Sequence, residues 1–271
     1  MKSAVHKPTQ TNCRVILLAN DRPGVEVAQF LASRGDSIVA LGLHDPQNQK
    51  NQSEIIASVQ CPPDYIFQAT QLNDPSWVQK LAELQPDYII TVYWAHLLRP
   101  VFYNSARYGT INFHPAFLPV NRGWHPHAHS IIDGTPTGVT LHAIEEDADT
   151  GPIWAQEKVN LLPTDTASDI YYRLQKEIVA LFKETWPEII NRSISPKPQD
   201  DKFATYHKKS ELSELDRIEL DSICNPKKLI NLLRARSFDD FGFAYFEENG
   251  KRVYLKLELG ETPDFSEPKR N

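Results

Sequence analysis

The chain alternates short apolar runs with amphipathic segments over its first half. Five runs predict buried strands: RVILLA (14–19), SIVALGLH (37–44), DYIFQ (64–68), DYIITVY (87–93) and GTINF (109–113). Apolar residues recur at helical spacing between Pro23 and Gly35, and DPSWVQKLAELQ (74–85) predicts a capped amphipathic helix. Strands that alternate with helices are typical of an α/β fold with a mostly parallel sheet.

The pattern changes after residue 135. PTGVTLHAI (136–144) and GPIWAQEKVNL (151–161) alternate apolar with polar residues and predict a pair of strands. The segment 165–190 predicts a long helix with Asp165 or Thr166 at its N-cap. A helix over 225–235 and a hairpin over 243–259 follow, and ENGK is a strong turn signal within that hairpin.

These elements predict one large domain and one small domain. We expect a disordered tail over 1–12, a catalytic α/β domain over 13–195, a polar linker over 196–209 and a small α+β domain over 210–271.

Composition narrows the class of protein. The 271 residues carry a net charge of −6 without a basic stripe, which argues against a nucleic-acid partner. The three cysteines (Cys13, Cys61, Cys224) form neither a CxxC pair nor a disulfide framework. The first twelve residues lack the apolar stretch of a signal peptide, and no apolar run reaches the roughly 20 residues that span a bilayer. We therefore expect a cytoplasmic location and no membrane partner.

Candidate chemistry lies where the fifth predicted strand ends, in NFHPAFLPVNRGWHP (112–126). Asn112 and His114 are two residues apart on an extended segment, so both side chains can face the same side. Asp149, in the loop EEDADTG, can fold back over this strand end. An amide, an imidazole and a carboxylate together suit acyl transfer through an oxyanion. The ordinary alternative is an Asn and a His that cap a turn beside a solvated acidic loop.

Three separated blocks resemble the folate-dependent formyltransferases, a family that includes the glycinamide ribonucleotide and methionyl-tRNA formyltransferases. The blocks are NFHPAFLPVNRG (112–123), PTGVTLH (136–142) and DADTGPIWAQ (147–156), and the resemblance covers roughly 14–190. It implies a Rossmann-like formyltransferase core with Asn112, His114 and Asp149 as catalytic residues. It also implies 10-formyltetrahydrofolate as the formyl donor and no metal.

The resemblance further implies where the donor binds. The family holds the pterin beside the exit of the fourth strand and with the loop before the catalytic Asp. Here these stretches supply the candidate donor-binding residues Ala95, His96, Leu98, His142, Ile144, Glu146 and Asp147. His96 departs from the apolar or basic residue expected at its position, which leaves its role open.

The acceptor amine is predicted from a narrower resemblance. The stretches NRGWHPHAHSIIDGTPTGVTLH (121–142) and TYHKKSEL (205–212) resemble the family's N-formyltransferases that act on nucleotide-linked amino sugars. The implied substrate is a dTDP-linked amino-dideoxyhexose destined for a surface glycan, and a homodimer through the C-terminal part is expected by analogy. A diphosphate and a base need cations and an aromatic ring. The candidates are Arg22, Trp124, Tyr206, His207, Lys208 and Arg236, although any one of them could be an ordinary surface or packing residue.

The sequence is also compatible with other functions. The formyl acceptor could be methionyl-tRNA, hydroxyornithine or an amino acid bound to a peptide synthetase. A metal-dependent hydrolase is a rival from another class, because five histidines lie between positions 114 and 142. Against it, the HExxH spacing is missing, and histidines two apart on a helix do not share a face. A non-catalytic binding protein on the same scaffold is a third possibility.

Overall fold

The computed structural model describes residues 12–260 and contains two compact units. The first unit runs to His114 and also includes Thr140–Gln156 and Ile178–Gln199. The second includes Pro115–Val139 and Glu157–Glu177, and it resumes at Asp200. Residues 1–11 of the predicted tail lie outside the described residues.

The strands are short, and most of them belong to one sheet. In chain order they are β1 (Arg14–Ala19), β2 (Ser37–Leu43), β3 (Ile66–Gln68), β4 (Tyr88–Val92), β5 (Thr110–His114), β6 (Arg122–Gly123), β7 (Gly138–His142), β8 (Ile153–Lys158), β9 (Tyr206–His207), β10 (Ser237–Phe238), β11 (Phe241–Gly242), β12 (Ala244–Glu248) and β13 (Lys251–Leu255).

The helices differ widely in length. They are α1 (Asp21–Arg34), α2 (Gln52–Ala57), α3 (Pro75–Ala82), α4 (Pro100–Tyr103), α5 (Pro126–Asp133), α6 (Ala167–Ile190), α7 (Glu211–Glu214) and α8 (Pro226–Ala235). In the described residues, no helix is long and apolar enough to cross a membrane.

The central sheet has seven strands in the order β3-β2-β1-β4-β5-β7-β8. Its first five strands are parallel, and β7 runs antiparallel to β5. The strand order reverses beside β1, and open α/β sheets bind ligands at the carboxyl ends of the strands near such a point. The predicted α/β fold with a mostly parallel sheet and a C-terminal hairpin is confirmed.

Apolar burial explains the central strands and the adjacent helix. Side chains from Val15 to Ala19 are fully buried in β1, because helices cover both faces of a parallel sheet. α1 ends at Arg34, and Gly35 follows with a φ of 82°, the left-handed conformation that ends many helices.

The C-terminal part of α6 is anchored to the sheet by polar contacts inside the core. Trp186 is fully buried, and its indole N–H donates to the Asp36 carboxylate at 2.9 Å. The Tyr88 hydroxyl donates to the Ile189 carbonyl at 3.1 Å. These bonds satisfy polar groups that would otherwise be buried without partners.

The second unit contains smaller pieces. β6 and β9 form a short parallel pair, and α5 packs against α8. β12 and β13 form the predicted antiparallel hairpin, and Asn249 and Gly250 at its turn have φ values of 50° and 72°. Two successive positive φ values are what the predicted two-residue turn requires.

Several elements differ from the sequence expectation. The predicted strand over 64–68 is shortened to Ile66–Gln68, because Pro63–Tyr65 forms a 3₁₀ turn. α2 and α4 were missed, since neither is long enough to show a helical period. Part of the segment predicted as a linker is ordered: it contains β9 and a 3₁₀ turn at Asp201–Phe203. The predicted domain boundaries stay a prediction.

Candidate active site

Asn112 and His114 both lie on β5, near its carboxyl end in the first unit. Asn112 is half-buried and His114 is buried. The antiparallel pairing of β5 with β7 sets Asn112 opposite His142 and His114 opposite Thr140. Strand periodicity therefore brings Asn112, His114 and His142 to one face, as the sequence predicts for the first two.

Hydrogen bonds fix the orientation of the Asn112 amide. The Thr91 hydroxyl on the neighbouring strand β4 donates to Asn112 Oδ1 at 2.5 Å. Asn112 Nδ2 therefore faces His142 Nε2 at 2.9 Å and Asp149 Oδ1 at 3.4 Å. The longer of these two contacts is the weaker, so one amide hydrogen can be redirected to a ligand at small cost.

The same network selects the tautomer of His142. Its Nδ1 lies 2.7 Å from the Ala143 carbonyl oxygen, which can only accept. Nδ1 therefore carries the hydrogen, and Nε2 accepts from Asn112. With both ring nitrogens engaged in this way, His142 positions the Asn112 amide.

Asp149 faces both histidines. Its Oδ2 lies 3.5 Å from His114 Nδ1, and its Oδ1 lies 3.4 Å from His142 Nε2. The carboxylate thus orients the His114 ring and would favour its protonated form over the neutral one.

The loop that carries Asp149 is held from two sides. Asp149 itself has a φ of 58°, a backbone conformation that needs support from its surroundings. The Gln199 side chain donates to the carbonyl oxygens of Asp149 at 2.8 Å and Gly151 at 2.7 Å. On the other side, Gly151 packs so closely on the Ala143 carbonyl that a Cβ atom would overlap it. Backbone contacts therefore set the position of the Asp149 carboxylate.

The predicted donor-binding residues after β4 lie beside a group of aromatic rings. The Ala95 backbone N–H donates to His44 Nε2 at 3.4 Å, and the His44 ring meets Trp94 edge-on at a centroid distance of 4.7 Å. His96 is exposed and contacts the same two rings, and Leu98 is half-buried. Burial lowers the pKa of His44 to about 4, with a smaller contribution from His96. His44 is therefore a neutral acceptor at pH 7.

The other predicted donor-binding residues lie in the loop after β7. The Ile144 backbone N–H is bonded to the Thr110 hydroxyl at 2.7 Å. Glu146 and Asp147 are exposed, and the Asp147 carbonyl accepts from the Thr150 hydroxyl at 2.9 Å. The structure thus brings His142 to the catalytic candidates and leaves the Glu146 and Asp147 side chains in solvent.

The predicted substrate cations are largely engaged with carboxylates. Arg236 forms a bidentate pair with Asp216 in the second unit. Arg22, in the first unit, pairs with Glu26 and Glu54.

Trp124 lies in the second unit and has a cationic neighbour that the sequence reading missed. The Lys209 ammonium is 4.7 Å from the centre of the Trp124 ring. Tyr206 is exposed on β9, while the two ring nitrogens of His207 contact Glu211 and Asn121. Of the candidate substrate contacts, Trp124 with Lys209 is therefore the pair that presents an aromatic face and a charge together.

Three residues that contact the predicted site residues were not predicted from the sequence. Thr91 sits in an apolar strand, where a single threonine is unremarkable without its cross-strand partner. Gln199 lies in a segment that reads as a polar linker, 50 residues from Asp149. Lys209 could have been considered beside Lys208, because the lysines are adjacent and only one was a candidate.

Of the five histidines that suggested a metal-dependent hydrolase, His114 and His142 belong to the site on β5, and the others have separate partners. His127 packs against Tyr171 and Phe238, at centroid distances of 5.2 and 6.4 Å. His129 stacks on His207 instead. The five histidines therefore do not form the single cluster on which the hydrolase hypothesis rested.

The sheet and the amide–imidazole–carboxylate cluster define an α/β enzyme equipped for transfer at a carbonyl carbon. Residues 4–185 match the family described as formyl transferase, and the chain belongs to that family. Residues 211–261 match the family described as the N-formyltransferase dimerization C-terminal domain. The chain is an N-formyltransferase.

Solved structures show the same architecture over nearly the whole chain. A 4-N formyltransferase from Francisella tularensis is 25% identical, with 92% of this chain and 99% of that chain covered and a TM-score of 0.79. A sugar N-formyltransferase from Shewanella sp FDAARGOS_354 is 24% identical, with 93% and 99% covered and a TM-score of 0.78. HypX from Aquifex aeolicus in complex with tetrahydrofolic acid is 17% identical, with 91% and 38% covered and a TM-score of 0.63. The two lower identities establish the fold alone.

Proposed function

We propose that the protein transfers the formyl group of 10-formyltetrahydrofolate to the amine of a nucleotide-linked, dTDP-type amino-dideoxy sugar. The observation that carries this proposal is the convergence of Asn112, His114 and Asp149, with His114 3.5 Å and Asn112 3.4 Å from the carboxylate. Family membership supplies the reaction class, and the convergence supplies the groups that such a reaction requires.

In the proposed mechanism, the neutral amine attacks the formyl carbon and a tetrahedral oxyanion forms. The Asn112 amide hydrogen on the Asp149 side donates to this oxygen, and His114 donates a second hydrogen bond. Hydrogen bonds aimed at the developing charge favour the transition state over the bound substrate. Thr91 and His142 keep the amide oriented, so little reorganisation is needed.

Asp149 stabilises the positive charge on His114 and accepts the proton of the attacking amine. It keeps His114 protonated and accepts the amine proton, directly or through water, as the new C–N bond forms. The bond between the formyl carbon and the folate nitrogen then breaks, and that nitrogen takes up the proton. Bonds and protons balance in this sequence, and it requires no metal.

An unpaired hydrogen-bond donor in the segment after β4 supports a folate-type formyl donor. In the part of the chain that the structure describes, the buried Trp94 indole nitrogen has no hydrogen-bond partner. A buried unpaired donor is costly, and an acceptor on a heteroaromatic ligand would satisfy it. The backbone of Ala95 and the edge of His44 supply further polar groups nearby.

The acceptor class rests on the relatives and on Trp124. The Francisella and Shewanella proteins are a 4-N formyltransferase and a sugar N-formyltransferase. A nucleotide-linked sugar offers a base or sugar ring for Trp124 and a diphosphate for Lys209, which lies over that ring. Lys209 is a stronger candidate cation than Arg236, because the Arg236 guanidinium is bound to Asp216.

We further propose that two copies associate through the segment that matches the dimerization domain. Large apolar side chains are exposed in this segment, among them Ile223, Phe241 and Tyr254. Exposed apolar groups of this size are typical of protein contacts. The cytoplasmic location expected from the sequence stays a prediction.

Release of tetrahydrofolate from 10-formyltetrahydrofolate tests the proposed function against a panel of acceptors. The panel contains dTDP- and UDP-linked amino sugars, glycinamide ribonucleotide, hydroxyornithine and methionyl-tRNA. We expect turnover with one dTDP-linked amino sugar. Turnover confined to another amine would overturn the sugar assignment. If no acceptor in the panel gave tetrahydrofolate release, the donor assignment would be overturned as well.

A further inference from the structure

The second unit contains a cluster of potential metal ligands whose residues are separate from the proposed catalytic ones. His129 on α5, His207 on β9 and Glu211 on α7 each offer a ligand atom, and these atoms lie within 4.8 Å of one another. We propose that His129, His207 and Glu211 bind a zinc ion, with Asp133 as a fourth ligand.

Two pairs of residues, each four positions apart, face each other in this cluster. His129 and Asp133 are one turn apart on α5, with Nδ1 and Oδ2 separated by 3.9 Å. His207 Nδ1 lies 2.9 Å from Glu211 Oε2, and its Nε2 lies 4.0 Å from Asp133 Oδ2. Zinc–ligand bonds of about 2.0–2.1 Å place neighbouring ligand atoms about 3.3 Å apart. Glu211 faces Nδ1 of His207 and Asp133 faces Nε2, so both carboxylates reach one ion only if the side chains rotate.

His129 combines deep burial with an unpaired ring nitrogen. The residue is 3% exposed, and within residues 12–260 its Nε2 has no hydrogen-bond partner. An imidazole nitrogen is the commonest metal ligand in proteins.

The two imidazole rings stack in parallel, with centroids 3.5 Å apart and an interplanar angle of 8°. A nitrogen lone pair lies in the plane of its ring, so two parallel rings cannot both direct a lone pair at one ion. Zinc binding therefore tilts His207 out of the stack and breaks its 3.1 Å contact with Asn121 Oδ1. That contact is the displaceable part of the arrangement.

The chemistry of the donor set selects zinc. Two imidazoles and two carboxylates suit a borderline ion, whereas magnesium and calcium prefer oxygen ligands alone. Two negative carboxylates around one divalent ion balance its charge.

Calorimetric titration of the chelator-treated, full-length protein with zinc chloride tests the proposal. We expect one zinc ion per chain and no heat from magnesium at the same concentration. Glu211→Gln and His129→Gln should each weaken binding at least about tenfold, because loss of even an outer-shell partner commonly costs that much. His96→Gln, which alters an exposed histidine in the first unit, should bind zinc as the unaltered protein does.

Cobalt substitution gives an independent readout. A four-coordinate site with two nitrogen ligands should give strong visible absorption with Co²⁺, and Glu211→Gln should weaken it. Glu211 is partly exposed, so this variant can be tested even if His129→Gln does not fold. Absence of zinc binding, or binding that is equal in the unaltered protein and Glu211→Gln, would overturn the proposal.

Discussion

At the residue scale, the proposed catalytic step depends on which way one amide points. Asn112 could present either its oxygen or its nitrogen to the cleft, and the Thr91 hydroxyl selects the nitrogen by donating to Oδ1. The Asn112 side chain could be identified from the sequence, because it lies at the end of a strand in a characteristic block. Its orientation could not, since it depends on a threonine 21 residues away on the neighbouring strand.

Thr91→Val should lower kcat by up to about tenfold and leave KM nearly unchanged. The substitution replaces the hydroxyl with a methyl group of nearly the same volume. One neutral hydrogen bond contributes about 1 kcal/mol. Steady-state kinetics measures both constants. Thr91→Ser keeps the donor and should retain kcat; a loss in the Ser variant with none in the Val variant would assign Thr91 a packing role alone.

His127 offers a test of pH dependence. The pKa of His127 is lowered from 6.5 to about 3, and burial is the largest cause. Above pH 6.5 the ring is neutral whether the chain is folded or unfolded, so it adds no pH dependence. Below that value the unfolded chain binds a proton that the folded protein excludes. The free energy of unfolding therefore falls on acidification. At pH values well below the pKa of His127 in the unfolded chain, this residue contributes a fall of about 1.4 kcal/mol per pH unit.

His127→Phe should flatten the dependence of unfolding free energy on pH between about 6 and 4.5. Phenylalanine suits this site because the ring packs against Tyr171 and Phe238. Urea unfolding at several pH values gives the slope, and His96→Gln serves as an exposed control. An unchanged slope in His127→Phe would mean that His127 is protonated in the folded protein.

At the element scale, strand β5 positions Asn112 and His114, and the loop between β7 and β8 positions Asp149. Apolar runs and apolar–polar alternation predicted the strands of the sheet, and β5 ends at His114, one residue beyond the predicted end. The loop that carries Asp149 has no comparable signal, because its shape comes from Gln199 and from the close contact between Gly151 and Ala143. Long-range backbone contacts of this kind leave no period in the sequence.

Gly151→Ala should displace the Asp149 loop. The added methyl group would meet the Ala143 carbonyl, and overpacking of this kind typically costs about 1–3 kcal/mol. We expect kcat/KM to fall about tenfold or more, since a small misplacement of a catalytic group is enough. Unaltered kinetics in a folded Gly151→Ala protein would show that the loop position is not critical.

At the scale of the whole molecule, the seven-stranded sheet and the C-terminal hairpin followed from patterns of burial and turns. The short strands of the second unit did not, because two-residue strands such as β6 and β9 are defined by their pairing alone. The resemblance to the formyltransferases pointed to the reaction class, which family membership then established. The substrate depends on single side chains, where Arg236 turned out to be engaged and Lys209 was missed.

Phe241→Asp should convert a dimer into a monomer. Phe241 is 68% exposed within the segment that matches the dimerization domain, and a buried unpaired charge would oppose association. Phe203→Asp is the matched control, since Phe203 is 61% exposed and precedes that segment. Sedimentation velocity gives the mass of each; a monomeric unaltered protein, or a dimeric Phe241→Asp, would contradict this interface.

The most direct test of the central claim is the formyl-transfer rate of Asp149→Asn, measured with the acceptor that the panel identifies. We expect kcat to fall about 10²–10⁴-fold, because the substitution removes the group that accepts the proton and keeps His114 charged. Glu145→Gln neutralises an exposed carboxylate of the same loop and should retain full activity. A folded Asp149→Asn protein with the rate of Glu145→Gln would contradict the proposed mechanism.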